Sequence, residues 1–184
     1  NLIIAGGMSY TFLHAMGVKI GNSLLEEDMI PVAKDIINRA HLKGVDIYLP
    51  IDNICADKFD NNANQYITTH NDIPEGWEGM DIGPRTIRKF AAIIKNANTI
   101  LWNGPVGVYE FPNFEKGTQS VALCVAVATM SGAFSLIGGG DSIAAVNNYH
   151  LANQVSYIST GGGAMLEYLE GRELPGIKAL NEDK

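Results

Sequence analysis

The common signatures of nucleotide and hydrolase chemistry are missing from this sequence. No Gly-Lys-Ser/Thr occurs, so there is no Walker-type phosphate loop. The dinucleotide pattern G-x-G-x-x-G fails twice. Gly138 and Gly140 are followed by Ile143 where the third glycine belongs, and Gly161 and Gly163 by Leu166. That disfavours an NAD-dependent dehydrogenase. No G-x-S-x-G exists to form a nucleophile elbow, and His14, His41, His70 and His150 lack metal-site spacing, so hydrolase and zinc readings fall. Cys55 and Cys124 form no C-x-x-C pair. Both read as reduced thiols, which places the expected location in the cytoplasm. No apolar run is long enough to span a bilayer. Basic residues are scarce, 13 against 20 acidic, for a net charge of −7. This argues against nucleic acid or an anionic membrane as partner. Any bound phosphate must then be held by backbone groups, a metal or residues from elsewhere. The chain also opens on Asn1, without Met or a charged leader region, directly on a strand-like run. It is expected to be a piece of a larger protein.

What is present is one domain's worth of chain, 184 residues at 46% hydrophobic. Strand-like runs alternate with helical periodicity. "LIIAG" precedes a helix over "SYTFLHAMG". Asn22 and Ser23 are capping candidates for a helix through Ile36, Ile37 and Ala40, and "VDIYLP" reads as a strand stopped by Pro50. Residues 56–83 read as a long polar connection, of the kind that carries function. Pro84 suits a first helical turn, with Ile87, Phe90, Ala91 and Ile94 on one face. "TILW", "AFSLIG" and "VSYIS" read as strands, and 117–131, 142–150 and 164–170 as helices, the last ended by Gly171 and "LPG". Alternation of this kind predicts an α/β domain, a doubly wound, mainly parallel sheet with helices on both faces.

One device recurs. "LIIAGG", "SLIGGG" and "YISTGGG" each run a strand into glycines and then a helix, and "TILWNGP" is a variant. Ligands sit outside the carboxyl ends of such strands, so these corners should crowd around one crevice. Glycines let a chain approach a ligand where a Cβ would clash, with N–H groups of the next helix aimed at an anion. An acid directly after them, Asp141, needs explaining. It is either a helix N-cap or a ligand to Mg²⁺, which is held by one or two carboxylates plus substrate phosphates. In "WNGPVGVYEF" apolar residues surround a single acid, Glu110, as in a slot for a purine with one polar anchor. In "STGGGA" Ser159 or Thr160 could cap a helix, and the glycine N–H groups could stabilise charge on a transferring group. A nucleotide- or ligand-binding module without catalysis is the competing class.

The ordered set "LIIAGGMSYTFL", "LPIDNICADKFD", "GWEGMDIGP", "ILWNGPVGVYEF", "IGGGDS", "VSYISTGGGAMLEYLEG" and "LPGI" resembles the carboxyl-terminal, nucleotide-binding half of the phosphoglycerate kinases. The resemblance covers essentially the whole chain, so residues 1–184 would be that one domain. It implies phosphoryl transfer between 1,3-bisphosphoglycerate and Mg-ADP, giving 3-phosphoglycerate and Mg-ATP in glycolysis. By the same resemblance Gly6, Gly7, Gly79 and Met80 would wall the adenine slot with Phe59 nearby, and Glu110 would bind ribose hydroxyls. Asn103, Pro105 and Val108 would line the nucleotide from the opposite strand end. Gly139, Gly140 and Ser142 would cradle phosphates, Asp141 would ligate Mg²⁺, and Gly161, Gly162 and Gly163 would face the transferring group. Ala5 departs from the glycine that many members carry, and Ser142 from their threonine. The lysines and the amino-terminal domain that hold the triose substrate in the family are not in this sequence. The chain alone is expected to bind ADP or ATP without turnover, and the intact enzyme to be a monomer.

Overall fold

A computed structural model describes residues 1–182. The parallel strands come in two groups. β1 (Leu2–Ile3) pairs with β2 (Ile47–Tyr48), and β6 (Thr99–Asn103), β7 (Phe134–Gly138) and β8 (Tyr157–Ser159) pair in that order. Helices α1 (Gly7–Ala15) and α2 (Ile30–Leu42) join β1 to β2, α4 (Lys116–Met130) joins β6 to β7, and α5 (Gly140–Asn148) joins β7 to β8. The fold is α/β, with parallel sheets flanked by helices, as the alternation predicts.

Strand alternation divides the core into two layers. Ile4 and Ile47 pack with Phe12 of α1 and Ala33 of α2. Ile3, Ala5 and Tyr48 lean the other way, onto the largest apolar cluster, which Phe90, Ile94, Val121, Val125, Trp102 and Ile137 dominate. α3 (Pro84–Lys95) supplies Phe90 and Ile94 from one stripe, as its spacing predicts. Pro84 occupies the first turn, where a missing N–H costs nothing. Asp52 accepts hydrogen bonds there from the backbone N–H groups of Arg85 (2.9 Å) and Thr86 (2.7 Å), satisfying two donors that the helix itself cannot.

Four expectations are corrected. Residues 56–83 are not a connection: with Asn53 they form a small antiparallel sheet, β4 (Gln65–Ile67), β3 (Asn53–Ala56), β5 (Glu78–Ile82). β4 is exposed throughout and β5 carries Gly79 and two acids, so neither shows a period-two apolar pattern. Asn22 and Ser23 cap no helix. α2 begins at Ile30 after a 3₁₀ turn at Glu27–Met29, while the side-chain oxygens of Asn22 and Ser23 accept from Gly76 N–H (3.3 Å) and Gly79 N–H (2.9 Å). Neither Ser159 nor Thr160 caps α6 (Gly162–Leu169); Gly161 holds that position, without a side-chain cap. Beyond "LP" the chain resumes as α7 (Pro175–Glu182), again with Pro at the start.

Candidate functional site

The candidate residues gather at strand ends. β1 runs into Gly6, whose φ of 63° belongs to the left-handed region that glycine tolerates. A Cβ at Gly6 would also lie 2.8 Å from the carbonyl oxygen of Pro105, so the β1 and β6 corners touch through bare backbone. Gly6, Gly7, Phe59, Gly79, Met80, Asn103, Pro105 and Val108 all line one cavity of about 1100 Å³. Its wall at Gly79 is closed by Tyr10, whose hydroxyl occupies the space a side chain would need. Burial, with Cys55, Asp81 and Glu78 adding to it, raises the Tyr10 pKa and keeps that phenol neutral. Val108 N–H donates to Met80 O at 2.8 Å, tying the turn after β6 to β5. Phe59 is 63% exposed, and its ring leans on that of Phe111 with centroids 5.1 Å apart.

The phosphate-side corners interlock. The buried Ser142 hydroxyl accepts from Gly104 N–H at 2.6 Å, which fixes the start of α5 to the end of β6. Gly139, with φ 84°, packs against Asn103, where a Cβ would come 3.1 Å from Nδ2. A Cβ at Gly162 would come 2.6 Å from Gly139 N, so the N-termini of α5 and α6 lie edge to edge. Gly140 and Gly163, by contrast, face open space, with nothing within 4 Å of a Cβ position. Two helix N-termini with partial positive charge therefore lie side by side, each with one glycine whose Cβ position is open.

The geometry resolves the two readings of Asp141 in part. The N-cap of α5 is Gly139, and no side chain makes a capping bond. Asp141 sits one residue into the helix, exposed, so capping does not explain it. Glu110 is exposed in the turn after Val108 and does not line the cavity. Tyr109 lies within reach of both acids: its pKa is raised chiefly by burial, then by the charges of Glu110 and Asp141. Among the described residues no group of three or more His, Cys, Asp or Glu side chains could hold a metal by itself.

One aspartate was missed. Asp81 is buried, and its two carboxylate oxygens accept from Ile82 N–H (2.8 Å) and Gly117 N–H (2.7 Å), anchoring the first turn of α4. Gly107 and Gly117 both lie against it with no room for a Cβ. Burial outweighs the two backbone hydrogen bonds and pushes its pKa up to about 7. Its one signal in the sequence is an acid flanked by Met80 and Ile82.

The sequence profile described as "Phosphoglycerate kinase" matches residues 1–172. The chain belongs to the phosphoglycerate kinase family. Phosphoglycerate kinases of Porphyromonas gingivalis and Clostridium botulinum are 53% identical over 180 residues and 54% over 182, covering 98% and 99% of this chain but only 43% and 45% of their own lengths. The solved phosphoglycerate kinase of Coxiella burnetii superposes with a TM-score of 0.90 at 41% identity, over 96% of this chain and 45% of that one. That of Pyrococcus horikoshii gives 0.79 at 30% identity, over 97% and 44%. The chain thus spans under half the length of the relatives it matches.

Proposed function

We propose that this chain is the nucleotide-binding half of a phosphoglycerate kinase, taking Mg-ADP or Mg-ATP at the strand ends described above. The observation that carries the reading is the pair of helix N-termini locked together at Gly139 and Gly162, with Gly140 and Gly163 open in front of them. Backbone N–H groups there would hold phosphate oxygens without any basic side chain, in keeping with the net charge of −7. The apolar side of the cavity would take the purine, with Gly6, Gly7 and Gly79 allowing its plane to approach the backbone. Glu110 would reach ribose hydroxyls from the turn above.

A lone exposed carboxylate beside a phosphate cradle fits Mg²⁺ held jointly by protein and substrate, and does not fit a protein-only metal cage. The metal, when bound, would neutralise charge on the phosphate oxygens during transfer. Asp141 would be its ligand from this chain. Gly161, Gly162 and Gly163 would donate N–H groups toward the transferring phosphoryl group, and the Ser142–Gly104 hydrogen bond would keep the two corners in register. In the whole protein the partner substrate would be 1,3-bisphosphoglycerate or 3-phosphoglycerate, held by the domain that this chain does not contain. That protein would be a cytoplasmic monomer, and this half alone would not turn over.

The test is a pair of ADP titrations, with and without Mg²⁺, on the wild type and Asp141→Asn. Since Asp141 makes no capping bond, the variant should keep its fold. The wild type should bind more tightly with Mg²⁺, and Asp141→Asn should lose most of that difference. Equal magnesium dependence in both proteins would remove Asp141 from the metal site. No ADP binding by folded wild type would overturn the nucleotide reading itself.

A further inference from the structure

Phe59 lines the cavity yet is 63% exposed, so burial alone does not fix where its ring stands. Its backbone must do so. Phe59 lies on a loop, residues 57–64, that joins β3 to β4 and is closed at its base. Asp57 accepts from Asn64 with both carboxylate oxygens, from N–H at 3.1 Å and from Nδ2 at 2.7 Å. Inside the loop Asp60 Oδ1 accepts from Asn62 N–H at 2.7 Å, and Ala63 N–H donates to Asp60 O at 3.1 Å. Ala63 is the one buried residue of the loop, in an apolar cluster with Met80 and Phe114.

A second segment meets this loop from outside. The turn between β6 and α4 carries Val108, Glu110 and Phe111 and runs on to the fully buried Phe114. Asn113 bonds Asn61 twice: its N–H donates to Asn61 Oδ1 at 3.1 Å, and its Nδ2 donates to Asn61 O at 2.7 Å. Each bond has one backbone partner, which settles the orientation of both side-chain amides. Among the described residues no other hydrogen bond joins the loop to this turn. Two residues earlier on each segment Phe59 meets Phe111, with centroids 5.1 Å apart and planes tilted by 52°, a favourable aromatic geometry. The two segments therefore form a clasp, a polar pair followed by an aromatic pair, and the aromatic end reaches the cavity. Fastening the fold does not require it. Ala63 and Phe114 already root both segments in one apolar cluster, so the clasp acts on what lies beyond that root, the loop tip at Phe59.

We propose that Asn61 and Asn113 are positioning residues for the nucleotide base, holding the Phe59 ring, through the loop and Phe111, against the edge of the purine. The inference rests on the nucleotide reading above and adds to it the pair that sets the affinity for the base. Neither asparagine lines the cavity, so both act through Phe59. On a loop without the clasp the ligand itself would have to order Phe59, and that ordering would weaken binding; the clasp orders the ring in advance. The same turn carries Glu110, so one clasp keeps the groups for base and ribose in register.

The experiment is a double-mutant cycle read by ADP titration with and without Mg²⁺. Asn61→Ala and Asn113→Ala each remove one hydrogen bond at the surface, so both should keep the wild-type circular dichroism. Each should bind ADP about two- to tenfold more weakly, the span of one net hydrogen bond. Phe59→Ala should bind roughly fivefold more weakly or worse, because the base loses an aromatic partner. Within Phe59→Ala, adding Asn113→Ala should cause no further loss, since residues that act through one group are not additive. Phe59→Leu serves the same cycle where Phe59→Ala binds too weakly to titrate. Asn61→Asp keeps an acceptor for the Asn113 N–H and should bind as the wild type does. In the asparagine variants the ratio of affinities with and without Mg²⁺ should hold its wild-type value, because the clasp serves the base and not the phosphates. Wild-type ADP affinity in folded Asn61→Ala and Asn113→Ala would overturn the proposal and leave the nucleotide reading standing. So would a loss that persists undiminished in the Phe59 background, or a changed magnesium ratio, since the pair would then be a general structural tie. No ADP binding by folded wild type would remove both readings together.

Discussion

Gly162 and Gly163 are adjacent glycines in the first turn of α6, and replacing each by alanine should have opposite effects. In a helix Ala is normally favoured over Gly by roughly 0.5–1 kcal/mol. At Gly163 nothing lies within 4 Å of the new Cβ, so Gly163→Ala should show that gain. At Gly162 the Cβ would sit 2.6 Å from Gly139 N and 2.9 Å from Gly139 Cα. Those atoms are backbone at the start of α5 and cannot swing aside, so the two helix ends must part. Overpacking of this kind costs typically 1–3 kcal/mol, which leaves Gly162→Ala destabilised by roughly 0–2.5 kcal/mol, centred near 1, after the helix gain. At about 2–4 °C per kcal/mol for a chain of this size, its melting temperature should fall by up to roughly 10 °C, against a small rise for Gly163→Ala. Urea and thermal melts followed by Trp77 and Trp102 fluorescence would read both. Under the proposed function nucleotide affinity should also fall in the first variant, since both glycine corners lose their spacing. If the two alanine variants have equal stability, the contact between α5 and α6 does not hold the corners together.

Two further outcomes are expected. Ser142→Ala removes the acceptor of the Gly104 N–H and should cost about 1–3 kcal/mol, while Ser142→Thr, which keeps the hydroxyl, should recover most of it in the same urea melts. Asp81 holds its proton up to about 7 in the fold and releases it near its ordinary value of 3.8 when unfolded, so the stability it contributes is full below 3.8 and is lost as pH rises to about 7; Asp81→Asn, though less stable throughout, should lack that decline in melts across the window.

Much of the architecture is written in apolar periodicity because the parallel strands and the helices on them are buried in patterned ways. β6 alternates Ile100 and Trp102 with exposed neighbours, and α3 places Phe90 and Ile94 a turn apart. The β4–β3–β5 sheet is illegible by the same rule. Its pairing is a property of the backbone, and the residues that break its apolar pattern answer to demands other than burial. Gly79 makes room for Tyr10, Glu78 lines the cavity, and Asp81 serves a helix thirty-five residues further on. α2 shows the opposite failure: its interior is periodic, yet its start at Ile30 is set by Pro31 and a 3₁₀ turn, and the good capping residues upstream are spent on holding Gly76 and Gly79.

The site was legible to the extent that glycine is legible. A glycine run says that backbone comes close to something, but not to what. Gly162 is bare because Gly139 lies against it, Gly138 because the Met165 side chain does, and Gly117 because Asp81 does. Gly140, Gly161 and Gly163 have neither a crowding neighbour nor a positive φ to account for them: nothing lies within 4 Å of a Cβ at Gly140 or Gly163, and only Ala164 Cβ, at 3.9 Å, near one at Gly161. The proposed phosphate site would supply a reason for glycine at Gly140 and Gly163, one residue from each of the two interlocked corners, where the protein's own packing supplies none. Sequence could nominate both triplets; only the packing separates the glycines pressed against a neighbour from those left open.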